Sequence, residues 1–359
     1  MTLFNFKRMD WVINICLLIL ATASLLTIYS INYNNFIQQV IWFGLAGILI
    51  LFFSQLDWRP LIIYRWITLS IYLFSIVLLV ATYFLAPLIR GTRSWLVLGP
   101  VQFQTSEFAK LALIILFSYY FASRHIEIAH WQNLMISFLY FIIPFGLILL
   151  QPDMGSALIL FGLWFSYLLI SEIRWRHLII GLLIILLLLI TGWYGFLADY
   201  QKERIFGFIN PDYDPLGINY NVIQSKIAIG SAGFLGKGFT QGTQVQLGFL
   251  PEASTDFIMA AFTEEWGLVG ALIILAAFSL LLWRIIRIGL LAENNFSKLI
   301  CLGTVVLFLI HFIFNVGSNL GLVPVIGVPF PWLSYGGSNL LTNAISIGII
   351  QSIASRRAF

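Results

Sequence analysis

The chain has 359 residues, of which 60% are hydrophobic and only 9% are charged, and its mean hydropathy is +0.95. A soluble domain carries roughly 25% charged residues, so this composition excludes a soluble enzyme or a set of soluble domains. The net charge of +4 is small and does not indicate nucleic acid binding, so no nucleic acid partner is expected.

Repeated apolar runs near the ~20-residue length that spans a bilayer predict an all-α, polytopic membrane protein. We expect about ten transmembrane helices within a single integral membrane domain over residues 1–359. In chain order they cover residues 11–29, 36–54, 62–84, 105–123, 132–150, 155–171, 177–197, 256–283, 298–318 and 335–354. The first run lacks a small-residue cleavage site, so it is predicted to be retained as a helix.

Basic residues are concentrated on one side of these predicted helices. That set of termini and loops carries Lys7, Arg8, Arg59, Arg65, Arg124, Arg174, Arg176, Arg284, Arg287, Lys298, Arg356 and Arg357. The alternate short loops carry almost no basic residues except Arg90 and Arg93. By the positive-inside rule, both termini are cytoplasmic, and the long segment of about 199–255 between helices seven and eight is extracytoplasmic.

The long outer segment contains much of the unusual composition of the chain. It begins with a turn-rich stretch over residues 210–215, continues with a predicted helix over about 219–229, and then contains five glycines within 230–242. Its apolar side chains, such as Phe234 and Leu247, are not typical of a disordered segment. The segment is therefore predicted to fold as a half-buried cap over the outer end of the helical bundle.

Asp256 lies where this segment meets the eighth predicted helix. Because an ionisable side chain near lipid is energetically costly, its presence there indicates a functional site. Glu264 and Glu265 follow about two turns into the same predicted helix, and the spacing of eight residues predicts that Glu264 points roughly as Asp256 does. A structural role for these two glutamates is about as well supported as a role beside the site.

Two further acidic positions lie at predicted outer helix ends. Glu107 and Lys110 are spaced to meet on one helix face, either as an ion pair that holds helices together or as a polar wall that offers Lys110 to an anionic substrate. Asp153 follows Gln151 and Pro152 in a tight turn, where it either caps the next helix or belongs to the site. His311, within the ninth predicted helix, is predicted to be a core residue.

Several basic residues are predicted on the outer side. Arg90 and Arg93 precede Trp95, and arginine beside tryptophan is typical of anchoring at the membrane interface. The alternative is a set of contacts to phosphate, which the guanidinium group suits well. Lys226 and Lys237 in the long outer segment are open to the same two interpretations.

Several motifs, taken together, resemble the SEDS family (shape, elongation, division and sporulation). They are Gln244-Val-Gln-Leu-Gly-Phe-Leu-Pro-Glu252-Ala-Ser-Thr255-Asp256, Glu264-Glu265-Trp-Gly267, Gln151-Pro-Asp153-Met-Gly155, Gln104-Thr-Ser-Glu107-Phe-Ala-Lys110 and Pro329-Phe-Pro-Trp-Leu-Ser334-Tyr335-Gly-Gly337. The resemblance covers nearly the whole chain and is greater to the elongation branch of the family than to the division branch. Two positions depart from the family pattern, because Ser254 replaces a histidine and Thr105 replaces a proline.

The resemblance implies a peptidoglycan glycosyltransferase that polymerises lipid II on the outer face of the bacterial cytoplasmic membrane, for cell elongation and shape. It implies undecaprenyl pyrophosphate as the lipid product, a class B penicillin-binding protein as partner, and contact with membrane lipid. No organic cofactor is expected, although a Mg²⁺ or Mn²⁺ ion could assist.

The resemblance also implies roles for single residues. Asp256 is the expected catalytic base. The expected substrate contacts are Arg93, Glu107, Lys110, Asp153, Lys226, Lys237, Gln244, Glu252, Ser334 and Tyr335, and the expected supporting residues around Asp256 are Thr255, Glu264 and Glu265. Lys110, Arg93 and one of Lys226 or Lys237 would offset the charge of the pyrophosphate.

Two other functions remain compatible with a polar helical bundle. A lipid II flippase would need polar groups on both sides of the membrane midplane and a path between them, whereas the acids of this chain cluster toward the outer half. A noncatalytic scaffold for the partner synthase would leave Asp256 replaceable.

Overall fold

The computed structural model describes residues 9–58, 64–89, 91–99, 101–123, 131–170, 199–210, 214–217 and 219–356. These residues are mostly helical, with one two-stranded sheet among them. Seven of the described helices are long and apolar enough to cross a membrane. The protein is therefore a multipass, all-α membrane protein, as predicted.

The helices occur close to the predicted positions. Their bounds are α1 (Trp11–Ile31), α2 (Tyr33–Gln55), α3 (Arg65–Leu85), α4 (Thr105–Ser123), α5 (Trp131–Leu150), α6 (Met154–Ile170), α7 (Asp199–Ile209), α8 (Tyr220–Ser231), α9 (Thr243–Gln246), α10 (Ile258–Leu290), α11 (Asn295–Leu320) and α12 (Gly337–Ser355). The predicted seventh membrane helix, 177–197, lies outside the described residues. The predicted helix over 219–229 in the outer segment is confirmed as α8.

Helix α4 lies at the centre of the bundle, where it contacts α3, α5, α6, α11 and α12. In the most apolar stretch of α4, 83% of the residues are buried, which is a larger share than in any other described helix that could cross the membrane. Its polar residues therefore face protein and not lipid, which is the arrangement that charged groups at membrane depth require.

A β-hairpin between α3 and α4 was not predicted from the sequence. Strands β1 (Trp95–Leu98) and β2 (Val101–Gln104) pair antiparallel, with Trp95 opposite Gln104. The hydroxyl of Ser338 at the start of α12 accepts from the amide N–H of Gln104 (2.9 Å) and donates to the carbonyl of Gln102 (3.2 Å). Four-residue strands are too short to show a periodicity, so only these tertiary contacts reveal the hairpin.

Helix α10 is broken at Gly267, although an uninterrupted helix was predicted here. Gly267 has φ 68° and ψ −170°, a conformation available essentially to glycine alone. Residues 233–238, which we call the glycine loop, pack against the break. Two N–H groups of the loop donate to the carbonyls of Glu264 (2.9 Å) and Glu265 (3.1 Å), and two of its carbonyls accept from the N–H groups of Leu268 (3.0 Å) and Val269 (3.1 Å). The break is stable because these bonds replace those that the helix loses.

Candidate active site

Asp256 lies in a turn just before α10 and not within the helix, since the helix begins at Ile258. Its side chain is partly exposed. The prediction that Glu264 points as Asp256 does assumed a continuous helix from residue 256, and that assumption was wrong. The turn closes on Glu252, whose carbonyl accepts from the N–H groups of Thr255 (3.1 Å) and Phe257 (3.2 Å). The hydroxyl of Thr255 also donates to the Glu252 carboxylate (3.1 Å).

Two asparagines on α11 hold the backbone of Asp256. The side-chain amides of Asn315 and Asn319 donate to the Asp256 carbonyl at 3.0 and 2.8 Å. The side-chain oxygen of Asn319 accepts from the N–H of Ala260 (3.0 Å), one of the N–H groups that a helix start leaves unpaired. Asn315 and Asn319 are spaced four residues apart, so they face the same side of α11. This spacing near the C-terminal end of an apolar helix is visible in the sequence, and it is the signal that could have predicted both residues.

The segment 329–337 supports the other side of the same turn. The Ser334 hydroxyl donates to the Thr255 carbonyl (2.6 Å), and the Tyr335 N–H donates to the Ser254 carbonyl (2.8 Å). Ser254 thus contributes its backbone, a contact that is independent of the side chain at that position. Partial burial raises the pKa of the Tyr335 phenol, whose hydroxyl donates to the Gln38 side chain. Ser334 and Tyr335 therefore contact the turn that carries the carboxylate.

Lys110 is enclosed within the bundle, with only 1% of its side chain exposed. Its ammonium donates to Glu107 (2.7 Å) and lies 3.3 Å from Nε2 of His311. The second oxygen of Glu107 accepts from Asn339 (3.0 Å), and Nδ1 of His311 lies 3.1 Å from the Pro329 carbonyl. Lys110 thus forms a buried ion pair connected to the 329–337 segment, and His311 is a buried core residue as predicted.

Lys237 and Gln244 lie around Glu264 and not around Asp256. One oxygen of Glu264 accepts from the Lys237 ammonium (2.7 Å) and from the backbone N–H of Gln244 (2.9 Å), and the other accepts from the N–H of Val245 (3.3 Å). Glu264 therefore caps the short helix α9 and neutralises Lys237. This arrangement supports the structural interpretation of Glu264.

Glu265 connects the broken helix to α1. Its carboxylate accepts from the hydroxyl of Ser30 near the end of α1. The side-chain amide of Gln246 donates to the same hydroxyl at 2.9 Å and to the Ser30 carbonyl at 3.0 Å. Glu265 thus stabilises the packing of α1 on α10 and on the outer segment.

Asp153, Arg93 and Lys226 occupy three different surroundings. Asp153 caps α6, because its carboxylate accepts from the N–H of Ser156 (3.0 Å), and it also accepts from the Gln104 side chain (3.1 Å). Arg93 has an exposed side chain. Lys226 is exposed on α8, next to Ser225, whose hydroxyl donates to the Asn319 carbonyl (2.8 Å). Of the predicted cations, Lys226 therefore follows directly on a residue that contacts Asn319, one of the residues that hold Asp256.

Within the described ranges, no three His, Cys, Asp or Glu side chains come together as a potential metal site. Magnesium is often held by one or two carboxylates together with phosphate oxygens of a substrate. The described residues therefore do not provide a complete metal site, and a divalent ion would depend on ligands from the substrate.

The chain matches the model of the FtsW/RodA/SpoVE family of cell cycle proteins over residues 5–358. It is 38% identical over 289 residues to the peptidoglycan glycosyltransferase MrdB of Escherichia coli (strain K12), a match that covers 80% of this chain and 77% of that relative. It resembles the rod shape determining protein RodA of Thermus thermophilus, with a TM-score of 0.74 and 26% identity over 98% of this chain and 99% of that one. It also resembles a chain from a peptidoglycan synthase complex, with a TM-score of 0.83 and 30% identity over 97% of this chain and 98% of that one. The chain therefore belongs to the FtsW/RodA/SpoVE family, which is the SEDS family that its motifs resemble.

Proposed function

We propose that this protein is a peptidoglycan glycosyltransferase that polymerises lipid II, with Asp256 as its catalytic base. The observation that carries the proposal is the clamp on Asp256. Asn315 and Asn319 hold its carbonyl, while Ser334 holds the carbonyl of the preceding residue, and Asp256 is partly exposed. A fixed backbone with an accessible carboxylate is what general-base catalysis at a defined substrate atom requires.

The reaction needs one base and no strong acid. The acceptor GlcNAc 4-hydroxyl gives its proton to Asp256 while its oxygen bonds to the anomeric carbon of the donor MurNAc. The bond from that carbon to the pyrophosphate oxygen breaks, and undecaprenyl pyrophosphate leaves with the electron pair. Attack opposite the leaving group inverts the anomeric centre and gives a β-1,4 link, by analogy with single-displacement glycosidases.

Exposed cations suit the leaving pyrophosphate better than cations that an ion pair already holds. Arg93 and Lys226 are exposed, whereas Lys110 and Lys237 are already paired with Glu107 and Glu264. Arg93 and Lys226 are therefore the proposed pyrophosphate contacts. A Mg²⁺ or Mn²⁺ ion, if it takes part, would be held by one or two carboxylates and by the pyrophosphate oxygens.

We expect Arg93→Ala and Lys226→Ala to raise the KM for lipid II without lowering the melting temperature, because both side chains are exposed. Lys110→Ala has a different expected result, since removing one partner of a buried ion pair costs about 3–5 kcal/mol of stability. Thermal unfolding in detergent and steady-state kinetics on the same samples measure both effects. A folded Lys110→Ala protein of normal melting temperature but raised KM would instead assign the pyrophosphate contact to Lys110.

We further propose that the site faces the outer side of the bacterial cytoplasmic membrane, with both termini in the cytoplasm. Arg284, at the other end of α10, pairs with Asp10 at the start of α1 (2.7 Å). Basic residues at this end of the bundle support its assignment to the inner side.

The proposed partner is a class B penicillin-binding protein that crosslinks the new glycan, because a similar chain was solved in a peptidoglycan synthase complex.

The orientation predicts which introduced cysteines react from outside an intact cell. Leu216→Cys is expected to react with a membrane-impermeant maleimide, because residue 216 is 88% exposed in the outer segment. Glu293→Cys, exposed between α10 and α11, is the matched inner-side control and is expected to react only after lysis. The two native cysteines, Cys16 and Cys301, are buried and give little background. The reverse labelling pattern would overturn the orientation.

Purified protein supplied with lipid II tests the enzyme function directly, with and without its partner synthase. The expected result is glycan strands of many disaccharides together with undecaprenyl pyrophosphate. A flippase would instead move labelled lipid II across a vesicle membrane without forming polymer. A scaffold would form no polymer alone and would leave the activity of the complex unchanged when Asp256 is replaced.

A further inference from the structure

We infer that the glycine loop, residues 233–238, is inserted into the hydrocarbon of the outer leaflet and that acyl chains cover Phe234 and Leu235. The loop belongs to the segment predicted to be extracytoplasmic, so an aqueous position is the simple expectation. Phe234 and Leu235 are nevertheless 74% and 80% exposed, and both are large and apolar. Such exposure beside a membrane protein's spanning helices marks a surface that needs an apolar environment.

The depth of the loop follows from its bonds to the break in α10. It is bonded on both sides of Gly267, to Glu264 and Glu265 before the break and to Leu268 and Val269 after it. Arg284, paired with Asp10, marks the inner interface on the same helix. At 1.5 Å per residue, the helix from Gly267 to Arg284 rises about 25 Å. The hydrocarbon core is about 30 Å thick, so the break lies within it, and any tilt of the helix places the break deeper.

Aromatic side chains next to the loop mark the outer membrane interface, and their position agrees with the depth derived from Arg284. The ring of Phe239, just after the loop, stacks on that of Tyr29 with centroids 6.0 Å apart and lies 6.2 Å from that of Trp266. Tyrosine and tryptophan concentrate at the level of the lipid headgroups. Tyr29 lies near the outer end of α1, whose inner end carries the exposed Trp11. The glycine loop therefore enters the bilayer just below this aromatic group.

The surface of the loop continues the lipid-facing surface of α10. Leu268, Val269, Leu272 and Ile273 are each 44–54% exposed on the first turns after the break. A backbone that leaves its helix in hydrocarbon must have its polar groups satisfied by protein. The four bonds between the loop and α10 meet this need at the break itself. The loop and the helix thus form one apolar surface, and lipid is the occupant that fits it.

Site-directed spin labelling tests this inference in the full-length protein in lipid nanodiscs. Leu235→Cys carries the test label, Leu272→Cys on α10 is the lipid reference, and Leu216→Cys is the aqueous reference. Oxygen is concentrated in hydrocarbon, whereas a polar nickel chelate stays in water. We expect the label at residue 235 to collide with oxygen as often as the label at 272, and with the nickel chelate at least fivefold less often than the label at 216.

Two outcomes would overturn the inference. Collision with the nickel chelate equal to that at residue 216 would place the loop in water. Low collision rates with both reagents would show that protein, such as a partner helix or a second copy of the chain, covers the loop. A label at residue 234, introduced as Phe234→Cys, must give the same result as the label at 235. Neither residue belongs to the catalytic machinery, so lipid II polymerisation by each unlabelled variant serves as the folding control.

Discussion

Asp256→Asn is expected to lower lipid II polymerisation by a factor of about 10²–10⁴, because general-base assistance supplies a rate enhancement of this size. The change keeps the size of the side chain and removes only its charge and basicity. The bonds from Asn315 and Asn319 should survive, since they bind the backbone carbonyl of residue 256 and not its side chain. Quantifying glycan strands formed from lipid II by purified protein measures the effect.

Two variants make the assignment of the base specific. Asp256→Glu keeps the charge but moves the carboxylate by one methylene, so it should retain little activity, because the base must reach the acceptor hydroxyl at roughly 2.6–3.2 Å. Glu252→Gln changes the neighbouring carboxylate, which is bonded to Thr255, and should retain more activity than Asp256→Asn. Normal turnover by Asp256→Asn, free of contaminating glycosyltransferase, would rule Asp256 out as the base.

Asn319→Leu is expected to lower kcat by roughly 10²-fold while changing the KM for lipid II much less. The substitution removes the bonds to the Asp256 carbonyl and to the Ala260 N–H, which together fix the entry into α10. A displacement of about 1 Å at a reacting group costs a loss of this size. Steady-state kinetics over a range of lipid II concentrations separate the two parameters.

Ser225→Ala is the matched control for Asn319→Leu. The Ser225 hydroxyl donates to the backbone carbonyl of Asn319. Its removal leaves the side-chain contacts of Asn319 intact, so this variant should keep kcat within a few-fold of the parent. Comparable melting temperatures in the two variants would exclude general unfolding as the cause. Equal losses of kcat in both would show that the packing of α8 on α11, and not the bond to Asp256, determines the rate.

The membrane fold could be predicted almost completely from the sequence. Nine of the ten predicted helices coincide with described helices, and the remaining one, 177–197, lies outside the described residues. The length of an apolar run must match the thickness of the bilayer that its helix crosses, so membrane helices can be predicted without tertiary information. The hairpin 95–104 and the break at Gly267 could not be predicted in this way. Both depend on partners distant in the sequence, namely Ser338 and the glycine loop.

The residue types of the site were also visible in the sequence, but their partners were not. The sequence left Lys110 open between an ion pair with Glu107 and a contact to an anionic substrate, and it left Lys237 open between anchoring at the membrane interface and a phosphate contact. The fold pairs each of them with a glutamate. Only Lys110 has its partner close by in the chain. Lys237 and Glu264 are 27 residues apart, and no periodicity predicts that a loop and a helix will meet. Burial then favours the paired state, because an isolated charge at this depth is costly.

The sequence by itself determined that this chain spans a membrane several times and that Asp256 is its most conspicuous acid. Both conclusions follow from properties of single segments, namely their hydropathy and the energetic cost of a charge near lipid, so neither needs knowledge of how the segments pack. Only the tertiary structure decided which acid is clamped and accessible and which are structural. That distinction depends on Asn315, Asn319 and Ser334, which lie 59 to 79 residues from the groups they hold. Hydrogen bonds across such separations form only once the helices have packed.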